Sequence, residues 1–185
     1  FGHEIPSEPV TFMKPSTSVI GQDDEIVYPP SVGRLDYEAE IAAVVRKKAR
    51  NVSEENASDI ILGYTCLNDV TARDLQRRDG QWTRAKSFDT FAPLGPCIAT
   101  ALDPARLKIK TFLNGKLRQS GTTRTFIFPV PVLLRYISQV MTLEPGDVVT
   151  TGTPAGIGPM SPGDRVDVQI EGIGTLSNTV MRVKR

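Results

Sequence analysis

Apolar and polar positions change period several times along this chain. In "PVPVLLRYISQVM", residues 129–141, Val132, Leu133, Tyr136, Ile137 and Val140 recur at helical spacing behind helix-opening prolines, which predicts a helix. A second helix is expected where Ser53 caps "EENASDII" with Glu54 and Glu55 in its first turn. A third, "TARDLQRR" over 71–78, is short and polar. Elsewhere the period is two. "KIKTFLNGKLRQSG", 108–121, sets Asn114-Gly115 between alternating segments and predicts a tight hairpin. "LEPGDVVTTGTP" and "MSPGDRVDVQIEGIGTL" each open on a Pro-Gly-Asp turn that launches a β-branched strand. Few helices and many short strands, punctuated by 14 prolines and 15 glycines, read as an α+β chain dominated by β-structure.

The stretch "LDYEAEIAAVV", 35–45, poses a chemical problem. As a strand it places Asp36, Glu38 and Glu40 on one face, next to sequence apolar on both faces that must enter a core. "IILGYTCL" is a second β-prone run that ends at Asn68-Asp69, so Asp69 sits at a strand terminus, where side chains line clefts. Three of these four carboxylates, drawn from the two elements, would suit a hard divalent cation with oxygen ligands. Buried together without one, they would be strongly disfavoured or forced to protonate. A solvated face is the alternative, but the apolar continuation argues against it. "RAKSFDTFAPLGP", 84–96, adds Lys86 in moderately apolar surroundings.

Composition narrows the partners. With 185 residues and 39% hydrophobic content the chain suits one domain. Its 22 basic and 21 acidic residues leave a formal charge of +1, which offers no global field to nucleic acid or an anionic membrane. "RKKAR", 46–50, lacks interleaved aromatics and is expected to be a solvated turn. Two cysteines, Cys66 and Cys97, and no signal-peptide pattern favour a reduced, cytoplasmic setting. The chain starts at Phe1, and further sequence upstream is expected.

Taken in order, "EPVTFMKPSTS", "DYEAE", "GYTCLNDVTARDLQ", "AKSFDTFAPLGP", "LNGKLRQSGTT", "FIFPVPVLLRYIS", "TLEPGDVVTTGTPAGIGP" and "GDRVDVQIEGIGTLSN" resemble the fumarylacetoacetate hydrolase superfamily over nearly the whole chain. The resemblance implies one catalytic domain over 1–185 built of layered mixed β-sheets, and an upstream segment carrying a lid. It implies Mg²⁺ or Mn²⁺, with Ca²⁺ in some members, held by Glu38, Glu40 and Asp69, while Asp36 is left over near the surface. Lys86 falls on the family's substrate-contacting lysine and Thr153 on a position that binds substrate oxygen. Gly152, with Gly156 and Gly158, would let backbone N–H groups approach an anion, or are ordinary loop glycines. Arg73 and Gln76 match residues near the site, Arg73 with a structural pairing to Asp74 or to a neighbouring strand end as the alternative.

The substrates implied are small 2-oxo and β-diketo acids, and the expected assembly is a homodimer; "FIFPVPVLL" is a candidate contact, with a place in the buried core as its more ordinary reading. The expected reaction is C–C hydrolysis of an acylpyruvate or fumarylpyruvate-like acid. Isomerisation of a 2-hydroxymuconate-type dienoate, decarboxylation of an oxaloacetate-like acid, and a silent binding domain are the alternatives. In many members a His and a Glu three residues on precede the proline-rich signature, which here is "PSEPVTFMKP", 6–15. That pair is expected upstream of Phe1, and His3, followed directly by Glu4, reads as a loop residue. Lys14 reads as a solvated strand end, with a substrate contact as the alternative, and Trp82 as a pocket wall or core residue.

Overall fold

A computed structural model describes residues 6–182, so His3 and Glu4 lie outside the described residues. Strands β1 (Val19–Ile20) and β2 (Glu25–Tyr28) precede β3 (Leu35–Tyr37) and β4 (Ala39–Val45), the two halves of the acid-bearing stretch. Then follow β5 (Ile61–Asn68), β6 (Thr71–Ala72), the short helices α1 (Arg73–Asp79) and α2 (Thr83–Lys86), and β7 (Ala92–Ala99). The hairpin of β8 (Lys108–Leu113) and β9 (Lys116–Thr122) leads to helix α3 (Val130–Val140). Strands β10 (Val148–Thr150), β11 (Gly158–Met160), β12 (Arg165–Ile170) and β13 (Gly174–Arg182) complete the order.

These strands form the expected layers. One five-stranded sheet has the order β1-β7-β5-β4-β10, a second β2-β13-β12-β8-β9, and a three-stranded sheet β11-β3-β6 joins them. Each five-stranded sheet carries one parallel pair at an edge, β1 with β7 and β2 with β13; the other pairings are antiparallel. Ala39, Ile41, Ala43 and Val45 project from one side of β4 into a core shared with Cys66, Ile170, Leu176 and Leu134. A second core gathers Leu35, Tyr37, Phe91, Met160 and Val166 under the three-stranded sheet. Burying each large aliphatic or aromatic side chain contributes roughly 1.5–3 kcal/mol, so the two clusters hold the layers together.

Local chemistry explains several elements. Asn114 and Gly115 adopt φ of 51° and 74°, the left-handed pair that a two-residue hairpin needs. In both Pro-Gly-Asp turns the aspartate caps its own turn: Asp147 accepts from Glu144 N–H and Asp164 from Ser161 N–H, each at 2.7 Å. Helix α3 forms as predicted, but its buried residues are Val130, Leu134 and Ser138, with Leu133 and Ile137 beside them, while Val140 is exposed. The helix expected from Ser53 shrinks to a 3-10 turn over Ala57–Ile60, and Ser53 C=O accepts a turn hydrogen bond from Asn56 N–H. Arg46, Lys47 and Lys48 are exposed, as expected of a solvated turn. Cys66 and Cys97 are both free thiols, and burial raises the pKa of Cys66 to about 12. Among the described residues no helix is long and apolar enough to cross a membrane.

Candidate metal centre

The site forms where two strands change sheets at the same level. The acid stretch pairs with β11 and β6 as β3, breaks at Glu38, and continues as β4 between β5 and β10. The neighbouring stretch runs as β5, breaks at Asp69-Val70, and resumes as β6. The backbone ties the two breaks together: Asp69 N–H donates to Glu38 C=O at 2.8 Å, and Glu38 N–H donates to Asn68 Oδ1 at 2.9 Å. Strand alternation then delivers Glu40 to the side opposite Ala39 and Ile41, where Glu38 and Asp69 meet it. One oxygen from each of the three carboxylates lies within 4.8 Å of the others, and all three residues are buried.

Basic side chains surround this group. Lys86, 2% exposed at the end of α2, donates to Glu38 Oε2 at 2.7 Å and to Asp69 Oδ2 at 2.5 Å. Arg73, the first residue of α1, hydrogen-bonds Glu38 Oε1 through one guanidinium nitrogen, Asp36 Oδ2 through Nε at 3.0 Å and Gln76 Oε1 through Nη1 at 2.5 Å. Its partners are therefore Asp36, Glu38 and Gln76. Asp74 instead accepts from the backbone N–H groups of Gly33 and Arg34. Asp36 is fully buried between Arg34 and Arg73, which corrects the expectation that it lies near the surface. It stays outside the cluster of three convergent carboxylates, because both of its oxygens are taken by guanidinium.

Lys14 is a second correction. It is not solvated: its ammonium donates to Asp69 Oδ1 at 2.6 Å with the side chain 9% exposed. Phe12, two residues earlier, lays its ring 4.9 Å from the Lys86 ammonium, and Trp82 packs at a tilt on Phe12 with centroids 5.7 Å apart. Trp82 is thus half-buried, one aromatic ring away from the Lys86 ammonium.

The charges set the proton affinities. Burial first, then the neighbouring Asp69 and Glu38 charges, raise the Glu40 pKa well above the ordinary carboxylate range. Its hydrogen-bond partner is neutral, the Thr150 hydroxyl at 2.5 Å from Oε2. Burial also works to raise the Asp69 pKa, but Lys14 and Lys86 outweigh it and hold it below the usual value. For Lys86 burial favours the neutral amine, and Asp69 and Glu38 overcome it, so the ammonium persists. The donor set fits a hard divalent cation: three carboxylates, no sulfur or nitrogen ligand, and one acid that wants either a proton or a cation.

The loop after β10 forms the other side. Thr153 Oγ1 donates to Ala39 C=O at 2.9 Å, between the two metal-group glutamates, and accepts from Gln119 Nε2 at 2.9 Å. Thr151 N–H and hydroxyl both bond Ile41 C=O. Gly156, at φ 101°, has no room for a side chain: a Cβ would lie 2.4 Å from Arg118 C=O. At Gly158 a Cβ would meet the Tyr37 hydroxyl at 2.7 Å. These two glycines are required by packing, whereas Gly152 is exposed with open space around it.

Sequence reasoning missed Gln119, Thr150, Phe12 and the role of Lys14. Lys14 carried a usable signal, since the chain passes Phe12 and Pro15 on either side of it. Gln119 carried none, for a reason given below.

Residues 2–181 match the fumarylacetoacetate (FAA) hydrolase C-terminal family. A solved structure of 5-carboxymethyl-2-hydroxymuconate delta-isomerase from Mycobacterium smegmatis is 46% identical, with a TM-score of 0.96, over 100% of this chain and 74% of that one. Oxaloacetate tautomerase YisK from Bacillus subtilis is 43% identical over 188 residues, 96% of this chain and 62% of that protein. Maleylpyruvate hydrolase from Sphingobium sp. SYK-6, solved with manganese(II) and pyruvate, is 37% identical with a TM-score of 0.86, covering 94% of this chain and 64% of that one. A match over nearly every residue, on the fold and acid cluster just described, makes this chain a member of the fumarylacetoacetate hydrolase family.

Proposed function

We propose that this chain is a divalent-metal-dependent enzyme that forms and reprotonates the enolate of a small 2-oxo acid, with keto–enol interconversion or double-bond migration in a 2-oxo dicarboxylic acid as its reaction. The observation that carries this reading is the buried Lys86 ammonium, held against two of three convergent carboxylates. Mg²⁺ or Mn²⁺ held by Glu38, Glu40 and Asp69 would supply Lewis acidity at the oxo and carboxylate oxygens of such a substrate. Lys86 keeps a positive charge where electron density accumulates on the enolate oxygen, at no reorganisation cost during reaction. Arg73 orients Glu38 and keeps Asp36 occupied. Thr153 and the exposed backbone at Gly152 face the substrate side, and Gln76 steadies Arg73.

Two relatives support this chemistry, the isomerase at 46% and the tautomerase at 43% identity. C–C hydrolysis of an acylpyruvate, placed first by the sequence, becomes the second reading. It is favoured by the 37% identical maleylpyruvate hydrolase with manganese(II) and pyruvate, and it additionally needs a base that activates water. The two separate by product: with Mn²⁺, the protein should speed the decay of enol-oxaloacetate absorbance, whereas pyruvate release from acylpyruvates would establish cleavage. No effect on either would reject an enzyme of 2-oxo acids. A second copy of the chain is the proposed partner, and the exposed apolar Leu62, Ile98 and Val148 on the outer face of the first sheet are its proposed contact. A monomer in sedimentation velocity would reject that.

A further inference from the structure

The hairpin strand β9 carries an inverted pattern. Leu117 is 53% exposed, while Gln119, two residues on, is fully buried. The cause is a register shift: Phe112 pairs with Leu117 but Thr111 pairs with Gln119, so Arg118 is an extra residue, and it rotates everything after it by one face. The bulge therefore turns a carboxamide inward where the alternation would have placed it with Leu117.

Every hydrogen-bonding position of that carboxamide is used. Oε1 accepts from Ala39 N–H at 3.1 Å and from the Thr111 hydroxyl at 2.6 Å. Nε2 donates to Thr153 Oγ1 at 2.9 Å and to Pro154 C=O at 2.8 Å. The orientation is forced, since Ala39 N–H can only donate and Pro154 C=O can only accept. Ala39 lies between Glu38 and Glu40, and Thr153 belongs to the loop. One buried amide thus spans both sides of the site. The same bulge presents Arg118 C=O to Gly156, and Gly121 to Pro154, where an added Cβ would lie 2.5 Å from the proline ring.

We propose that Gln119 is a positioning residue: it sets Thr153 against the strand that carries the metal-group glutamates, and so fixes how the loop meets a bound 2-oxo acid. The second half of this statement rests on the function proposed above; the first does not. Thr153 gives its only hydroxyl proton to Ala39 C=O and receives one from Gln119, which leaves a single lone pair free and a fixed side-chain direction. Without the amide the hydroxyl could turn, and the loop would lose two of its ties to β9.

Gln119→Met keeps the length and removes both donors. Gln119→Glu keeps the acceptor toward Ala39 and Thr111 and loses the donations to the loop; either variant decides the matter if the other does not fold. Hydrogen exchange tests the clamp without any ligand: amides over 151–157 should exchange at least tenfold faster in the variant, while those over 41–45 of β4 stay protected; Ala39 N–H, which loses its own acceptor in Gln119→Met, is left out of that comparison. Unchanged exchange in the loop overturns the proposal. Mn²⁺ affinity, read by electron paramagnetic resonance, should stay within about threefold, while affinity of the Mn²⁺-loaded protein for oxalate, a stable mimic of a 2-oxo acid enolate, should fall at least tenfold by calorimetry. Thr153→Val should cause a similar loss, and combining it with the Gln119 variant should add little. Additive losses, or full oxalate affinity in the variant, overturn action through Thr153. Failure of the unaltered protein to bind Mn²⁺ or oxalate would count against the proposed function and leave the exchange result to judge the clamp.

Discussion

The acid cluster and the loop over 151–158 face one another across the site and are built on opposite principles. The cluster is ionic: Lys14, Lys86, Arg34 and Arg73 are set against Asp36, Glu38 and Asp69, and Glu40 alone is held by a neutral hydroxyl. The loop is neutral, and it is placed by an amide, a threonine hydroxyl and glycines with no room for a side chain. Ionic contacts tolerate exchange of one cation for another, as metal binding requires. Steric and amide contacts do not, and they suit a surface that must hold one shape.

Breaking the two sides should therefore look different. The largest expected effect is Lys86→Met, which strips a buried ammonium from both Glu38 and Asp69. It should lower stability by about 3–5 kcal/mol in denaturant titrations of the metal-free protein, and added Mn²⁺ should restore part of the loss. Gly156→Ala should cost about 1–3 kcal/mol for its left-handed backbone, with the Arg118 contact adding to it. Unlike Lys86→Met, it should leave Mn²⁺ affinity unchanged, and a loss of metal binding in that variant would erase the distinction between the two sides.

Glu40→Gln sharpens the contrast within the cluster. It removes the acid that burial and its neighbours keep from ionising, so the metal-free protein should gain about 1 kcal/mol while Mn²⁺ affinity falls by a hundredfold or more. Loss of stability together with metal would show that Glu40 is held by something other than a cation. The smallest effect is on pH dependence. The Glu40 pKa is raised in the folded state, so its contribution to metal-free stability is present at low pH and is lost as pH rises through the folded value. The Asp69 pKa is lowered, so its contribution is present above its unfolded value and is lost as pH falls through the folded one. The gain in Tm on adding Mn²⁺ should grow over the window in which Glu40 ionises, because the cation competes with that proton. A gain independent of pH would remove Glu40 from the metal group.

Much of this was legible in the sequence wherever one residue type dictates one backbone state or one chemistry. Asn114-Gly115, the two Pro-Gly-Asp turns and α3 are of that kind; the convergence of Glu38, Glu40 and Asp69 was legible only with the family resemblance, since the residues by themselves put Asp36 beside them. The parts that were not legible depend on tertiary context. Asp36 is fully buried because Arg73 arrives from α1, and nothing in "LDYEAE" announces that. Lys14 is drawn inward because Asp69 lies 55 residues away in sequence but 2.6 Å away in space. Ser53 offered a cap, yet the chain is recruited at Val52 by the Ser138 hydroxyl of α3 and turns before a helix can propagate. Gln119 was invisible because one bulge inverts the pattern that would have revealed it.

The hydrogen bond from Asp69 N–H to Glu38 C=O has a consequence for how chemistry can diversify on this scaffold. The spacing of the two coincident strand breaks is set first by this peptide-to-peptide bond, and the Asn68 side chain on Glu38 N–H and the Lys86 ammonium across both carboxylates hold it. Under the proposed function, replacing the loop or the aromatic rim would change which molecule is admitted, while the spacing of Glu38 and Asp69 would stay put. On such a scaffold the loops around Glu38 and Asp69 can be exchanged while the distance between the two strand breaks is kept.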